Sequence, residues 1–196
     1  ISQLKKSANA LKFQIVNKKD TKYEIALINA LRRIILVNLE VYCFGRNSVE
    51  FQENSSIYNE DFMSQRFSLI PLYANELDKY DVEKIEAHLS ASNESVNPGE
   101  FKNFYAKDIK LYYGDLDTPL LSRKELDIAK IITIPDILLM ELKPGQRMSC
   151  TFKIMKGTHK LNGGMFCPVT KAVYFFEIDK EALDEKLSEL SPEERD

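Results

Sequence analysis

Cysteine is scarce and unpaired here. The 196 residues hold 3 cysteines, Cys43, Cys150 and Cys167, an odd number set too far apart for a disulfide framework. No two of them form a C-x-x-C pair, and the 2 histidines, His88 and His159, stand far apart in the chain. A four-ligand structural zinc site is therefore not expected, and neither a metal nor a cofactor is predicted. A reducing, intracellular setting fits this usage best.

Long apolar runs are also missing. Ile25 to Leu39 comes nearest to a membrane span, but Asn29, Arg32, Arg33 and Asn38 interrupt it. No signal peptide is visible, and no membrane contact is expected. The first residue is Ile, so the natural N-terminus is expected to lie upstream. No glycine-rich phosphate loop occurs, and Lys5-Lys6 and Lys18-Lys19 are isolated basic pairs that read as surface solubility. With a net charge of −3, the chain is not suited to grip nucleic acid alone, so any such contact would be indirect. What is present is an ordinary globular balance, 44% hydrophobic and 29% charged, enough to bury a core without staples.

Along the chain, Leu11 to Val16 alternates as a short strand, and Lys22 to Asn38 reads as a helix that Asp20 or Thr21 would cap. Val41 to Phe51 has strand character broken at Gly45-Arg46-Asn47. Asn59 caps a second helix whose first turn carries Glu60 and Asp61, and Pro71 requires it to stop by Ile70. Strands are predicted over Lys84–Ala91, Ala106–Tyr113, Lys130–Ile134, Ile137–Leu142, Met148–Met155 and Thr170–Ile178. A last helix covers Asp179–Leu190, with Leu183, Leu187 and Leu190 at helical spacing, and the acidic end at Glu193, Glu194 and Asp196 reads as a solvated tail. The fold class is α+β, with helices near the ends and strands between them.

The first helix departs from the usual single apolar stripe. Ile25, Ile28, Ile35 and Leu39 face one way, and Leu27, Leu31 and Ile34 another. Such a helix is expected to be buried on more than one side. Its exceptions, Asn29, Arg32 and Arg33, are three and four residues apart and share one face. Two readings stay open on pattern alone: the central helix of a monomeric core, or a helix covered partly by partner subunits. Guanidinium groups suit the second, because their rigid fork matches carboxylates and carbonyls.

Residues 25–36, Ile-Ala-Leu-Ile-Asn-Ala-Leu-Arg-Arg-Ile-Ile-Leu, resemble the first-helix signature of the alpha-like subunits of multisubunit RNA polymerases. Residues 54–72 resemble that family's segment in which an acidic and an apolar residue lead into a helix ending Arg-x-x-x-Ile-Pro-Leu. A third run is similar to its late strands: Ile134-Pro135, Leu142 to Gln146, Lys156 to His159, and Phe166-Cys167-Pro168-Val169. The three islands keep the family's order and span most of the chain, leaning toward the archaeal, eukaryotic and large-DNA-virus third-largest subunit.

The resemblance implies a dimerisation domain made from residues 1–45 and 155–196, with a strand-rich domain, residues 46–154, inserted between them. It implies a non-catalytic assembly scaffold that pairs with a smaller alpha-like partner and docks the second-largest and largest subunits. By carry-over, Asn29, Arg32 and Arg33 would contact the second-largest subunit. Phe62 and Arg66 would sit in the helix that opens the inserted domain, and His159 near a large-subunit surface. The setting would be a nucleus, or a cytoplasm or virion if viral. Three departures stand out: no cysteine cluster in the inserted domain, Gly163-Gly164-Met165 in place of Ala-Lys-aromatic, and a short last helix. The last implies either that the chain continues into a fused smaller partner or that the interface is reduced. The alternatives are an adaptor domain of another complex and a free-standing enzyme using a Cys/His pair such as Cys167 with His159. Against the enzyme, each cysteine is expected to be a small buried apolar residue.

Overall fold

The computed structural model describes residues 2–7, 10–15, 24–177 and 180–189. Its strands are β1 (Ser2–Lys6), β2 (Leu11–Gln14), β3 (Val41–Phe44), β4 (Glu50–Asn54) and β5 (Ile85–Ser92), then β6 (Lys102–Tyr105), β7 (Lys110–Tyr113), β8 (Lys124–Leu126), β9 (Leu138–Leu142) and β10 (Arg147–Gly157). Its helices are α1 (Glu24–Val37), α2 (Glu60–Ser68), α3 (Ala74–Leu77), α4 (Ile128–Ile131) and α5 (Lys180–Glu189). The class is α+β. The chain divides into two compact units, Ile1–Arg32 with Ala172–Asp196, and Arg33–Lys171. The cap expected at Asp20 or Thr21, the strand ends at Val16 and Ile178, Leu190 and the acidic tail lie outside the described residues.

In the first unit, β1 and β2 form an antiparallel hairpin, with Lys6 opposite Leu11. α5 occupies Lys180–Glu189, and its Leu183 is exposed. The strand expected over Thr170–Ile178 is not found: 170–177 form no strand among the described residues. Val173, Phe175 and Phe176 have strand propensity, but no neighbouring backbone meets their N–H and C=O groups there, and a strand exists only in a ladder.

The second unit is built around β10, whose eleven residues bury Met148, Cys150, Phe152 and Ile154 on one face. β5 pairs antiparallel along one side of it, and β4 followed by β3 along the other, giving the order β3-β10-β5-β7-β8 with β4 beside β10. β5 repeats the alternation with Ile85, Ala87, Leu89 and Ala91 buried. α2 supplies Met63 and Phe67 to the same core. Phe67 stacks on Phe152 at 4.9 Å, while Phe44 meets Phe152 edge-on at 4.9 Å. A second antiparallel pair, β6 with β9, adds Phe104, Leu139, Met140 and Leu142, so one continuous core serves the unit.

Two further expectations are corrected here. Residues 106–108 form a helical turn, and only Lys110–Tyr113 of the segment from Ala106 is strand. Residues 130–134 are not a strand. α4 covers Ile128–Ile131, capped by the Asp127 carboxylate, which accepts from the Ala129 N–H at 3.2 Å. Ile131 and Ile132 are buried, and Ile132 makes a lone bridge to Leu72. A short buried apolar run looks the same in sequence whether it is helix or strand.

Candidate partner-binding surfaces

No described side chain of α1 is buried. Leu27 is 68% exposed, Ile25 57% and Ile34 47%, and Ala26 and Ala30 are also open. The expectation that this helix is buried on more than one side is therefore not met within the chain itself. Leu27, Ala30 and Ile34 lie at helical spacing and form an apolar stripe facing water. Asn29 and Arg32 are half-buried and Arg33 is exposed. Their polar heads have no hydrogen-bond or ion-pair partner among the described residues, so three strong donors on one face are left for something else.

α2 begins as the sequence requires: Asn59 Oδ1 accepts from the Asp61 N–H at 2.8 Å, and Glu60 and Asp61 lie at the positive end of the helix. Phe62 and Arg66 are one turn apart on the same face. Phe62 is 48% exposed, lies parallel to Tyr58 at 6.3 Å and receives the Arg66 guanidinium 5.9 Å from its ring centre. Arg66 is also engaged within its own chain, donating from Nε at 3.2 Å and Nη2 at 2.6 Å to the Leu138 carbonyl. It thus ties α2 to β9, 72 residues away in sequence. Ile57 and Leu138 are exposed beside these residues, and Leu69 follows one turn after Arg66.

His159 sits in the loop after β10. Leu161 donates to Thr158 at 2.9 Å and Phe166 to Asn162 at 3.0 Å, while Asn162 Oδ1 accepts from Gly164 and Met165. Buried Phe166 lies so close to Gly157 that a Cβ there would stand 2.6 Å from its ring. A Cβ on Gly163 would come within 2.8 Å of the His159 imidazole. Glycine at 163, a departure from the family pattern, is what lets the loop close over the histidine. The Nδ1 atom of His159 is buried without a hydrogen-bond partner among the described residues. No hydrogen bond, ion pair or ring contact joins His159 to Phe62 or Arg66 among the described residues.

The cysteines divide. Cys43 and Cys150 are buried, and burial pushes both thiols up to about 12, far from nucleophilic. Cys167 is exposed, which corrects the expectation that all three are buried. Its thiol donates to the Val169 carbonyl at 3.4 Å, and no bond to His159 is found among the described residues. No group of three or more His, Cys, Asp or Glu among the described residues is arranged to hold a metal ion, and no helix among them is long and apolar enough to cross a membrane.

One cluster has no signal in sequence. Arg123, whose side chain is 8% exposed, donates to the carbonyls of Thr118 at 3.0 Å and Leu116 at 2.6 Å and pairs with Glu86 on β5. His88 Nε2 lies 3.1 Å from the same carboxylate. Burial alone would push the Glu86 carboxyl up, but hydrogen bonds from His88 and Arg123, with their charges, hold it below its usual value. The arrangement fixes the loop between β7 and β8 to the sheet.

No protein-family model matches the chain. Among curated proteins it is similar to DNA-directed RNA polymerase subunit Rpo3 of Pyrococcus horikoshii, 29% identical over 151 residues, 76% of this chain and 49% of that protein. It is also similar to DNA-directed RNA polymerases I and III subunit RPAC1 of Homo sapiens, 27% identical over 187 residues, 85% of this chain and 51% of that one. A shorter stretch of 57 residues, 29% of the chain, is 35% identical to DNA-directed RNA polymerase II subunit rpb3 of Dictyostelium discoideum and covers 18% of it. These curated relatives are alpha-like subunits of multisubunit DNA-directed RNA polymerases. The chain spans about half the length of the archaeal and human relatives.

Proposed function

We propose that this chain is a non-catalytic assembly-scaffold subunit of a DNA-directed RNA polymerase. It pairs with a smaller alpha-like partner, separate or fused, and docks the second-largest and then the largest subunit. The observation that carries the reading is the state of α1: an apolar stripe of Leu27, Ala30 and Ile34 open to water, beside three polar heads without partners among the described residues. A free-standing protein gains nothing from that arrangement, whereas a scaffold needs it, since fully burying one such aliphatic side chain is worth about 1.5–3 kcal/mol. The relatives, polymerase subunits matched over most of this chain, supply the class of complex.

On this reading α1 lies in the interface with the smaller partner through its apolar stripe, and Asn29, Arg32 and Arg33 reach the second-largest subunit. The grouping of residues 1–32 and 172–196 into one compact unit supports a dimerisation domain built from the two chain ends around an inserted domain. Its bounds are proposed at 1–45 and 155–196 around 46–154, although residues 33–45 and 155–171 fall in the other unit. Phe62 and His159 offer further contacts on the inserted domain and the loop after it. Arg66 holds the surface on which Phe62 is displayed. Nucleic acid is met only through the complex, inside the cell.

Arg32→Ala tests the assignment. Arg32 makes no hydrogen bond or ion pair among the described residues, so the variant should melt within a degree or two of the parent while its recovery with the second-largest subunit falls. Unchanged assembly would remove the patch from the interface.

A further inference from the structure

β7 pairs with β5 only from Ile85 opposite Tyr113 to His88 opposite Lys110. Before Lys110 the chain turns away through 106–108, so β5 runs on to Ser92 with that side open. In an antiparallel strand, successive residues send their N–H and C=O groups to opposite edges. Asn93 exchanges bonds with Gln146 and Gly145 on the β10 side, whereas Lys84 accepts from Gly114 and Ser92 accepts from Lys102 Nζ on the other. Even-numbered residues of β5 therefore face away from β10. Ser90 directs its N–H and C=O to the open edge, where no backbone partner meets them among the described residues.

Ser90 also lines a cavity of about 440 Å³. Its apolar lining comes from Phe104, Ile109 and Leu126, all buried, and from half-buried Ile128, and Lys102, Lys107 and Lys110 line it as exposed cations. Two of these lysines are engaged: Lys102 with the Ser92 carbonyl and the Phe104 ring, Lys107 with Asp136. Lys110 has no partner among the described residues. Of the two lining carboxylates, Asp108 accepts from the Tyr105 N–H at 2.7 Å, which leaves Glu125 as the acidic side.

We propose that this cavity takes an extended segment of a protein partner, which adds as a short strand to the open edge at Ser90, sets an aliphatic side chain against half-buried Ile128 beside Phe104 and Leu126, and brings a carboxylate to Lys110. The backbone edge supplies affinity, while the apolar lining and the free lysine select the side chains, the division of labour in strand addition. The site lies wholly within the 33–171 unit and does not depend on which complex the chain serves.

The test uses the full chain and a fluorescein-labelled hexapeptide of alternating valine and glutamate, with a valine–lysine counterpart. Anisotropy should report binding of the first peptide and not of the second. Exchange of the Ser90 amide, followed by NMR, should slow about tenfold or more at saturation. Lys110→Glu, at an exposed position, should weaken binding about tenfold, and Ser90→Pro, which removes the N–H, should abolish it in a protein whose circular dichroism is unchanged. Should Ser90→Pro fail to fold, the Ser90 exchange rate and Lys110→Glu decide the matter. The proposal is overturned by no binding at about 1 mM peptide, by equal binding of the lysine peptide, or by binding that leaves Ser90 exchange unaltered. Full displacement by inorganic phosphate would reduce the site to a simple anion pocket and overturn it as well.

Discussion

Replacing both Leu27 and Ile34 by serine should leave the fold in place and break the complex. Leu27 is 68% exposed and Ile34 47%, so the chain's own packing already holds only a minor part of the first side chain and about half of the second. If a partner covers the rest, the burial still to be gained is about 1–2 kcal/mol for Leu27 and about 0.7–1.4 kcal/mol for Ile34, scaled from about 1.5–3 kcal/mol for full burial. The sum, about 2–3 kcal/mol, corresponds to a loss of roughly 30- to 200-fold in affinity. Serine lowers helix propensity by a few tenths of a kcal/mol at each position, and the parts of the two side chains already packed in the chain are lost with them, so the isolated chain should lose about 2–3 kcal/mol. Urea unfolding measures the second quantity, and co-purification with the smaller alpha-like partner over a salt series measures the first. A double variant that still folds and assembles like the parent would refute the claim that this stripe is an interface. One destabilised by well over about 4 kcal/mol would show that α1 is core.

Other outcomes follow from the second unit. Arg123→Ala removes a guanidinium with three acceptors and leaves Glu86 without its cation. The loss should be about 2–4 kcal/mol in urea unfolding, discounted from a fully buried pair because Glu86 is 22% exposed. The Glu86 carboxyl is held below its usual value in the folded state, so its stabilisation is fully present above the unfolded value. It is lost as pH falls through the lower folded value, so Glu86→Gln should flatten the stability profile below about pH 4.5 and change its shape little above pH 6. Thiol labelling of the native chain near pH 8 should modify Cys167 quickly and leave Cys43 and Cys150, with thiols near 12, protected until denaturant is added. Rapid modification of all three would contradict the core packing. Asn59→Ala should cost about 1 kcal/mol through loss of the α2 cap, read as a lower urea midpoint.

Features encoded locally were the legible ones. The α2 cap at Asn59 and its stop before Pro71 are short-range chemistry, and the alternation of β5 and β10 reflects one buried face. Where an apolar run is short, the pattern misled. Ile131 and Ile132 are buried as the end of α4 rather than in a strand, although Asp127 carried the cap signal. β6 and β8 carry no strand signal in sequence, because short strands rich in Lys, Asn and Glu lack an apolar rhythm. Between 170 and 177, propensity is present but no ladder is found among the described residues.

The candidate sites were legible only in part. The Asn29, Arg32 and Arg33 face follows from helical spacing, while its lack of partners among the described residues is visible only in three dimensions. Arg66 was legible as a motif residue, yet its bonds to Leu138 span 72 positions. The Arg123–Glu86 pair spans 37, and no sequence rule joins such residues. Cys167 escaped burial because its loop is held by Phe166 and the turn at Asn162 rather than by the cysteine itself.

The central claim, that this chain is a scaffold inside a polymerase, is tested most directly by purifying the tagged protein from its native cells at moderate salt. Every co-purifying chain would then be identified by mass. The account predicts two very large polymerase subunits at one copy each, together with a smaller alpha-like partner, either separate or as a longer form of this chain. Recovery of a lone monomer or a simple homodimer would contradict it.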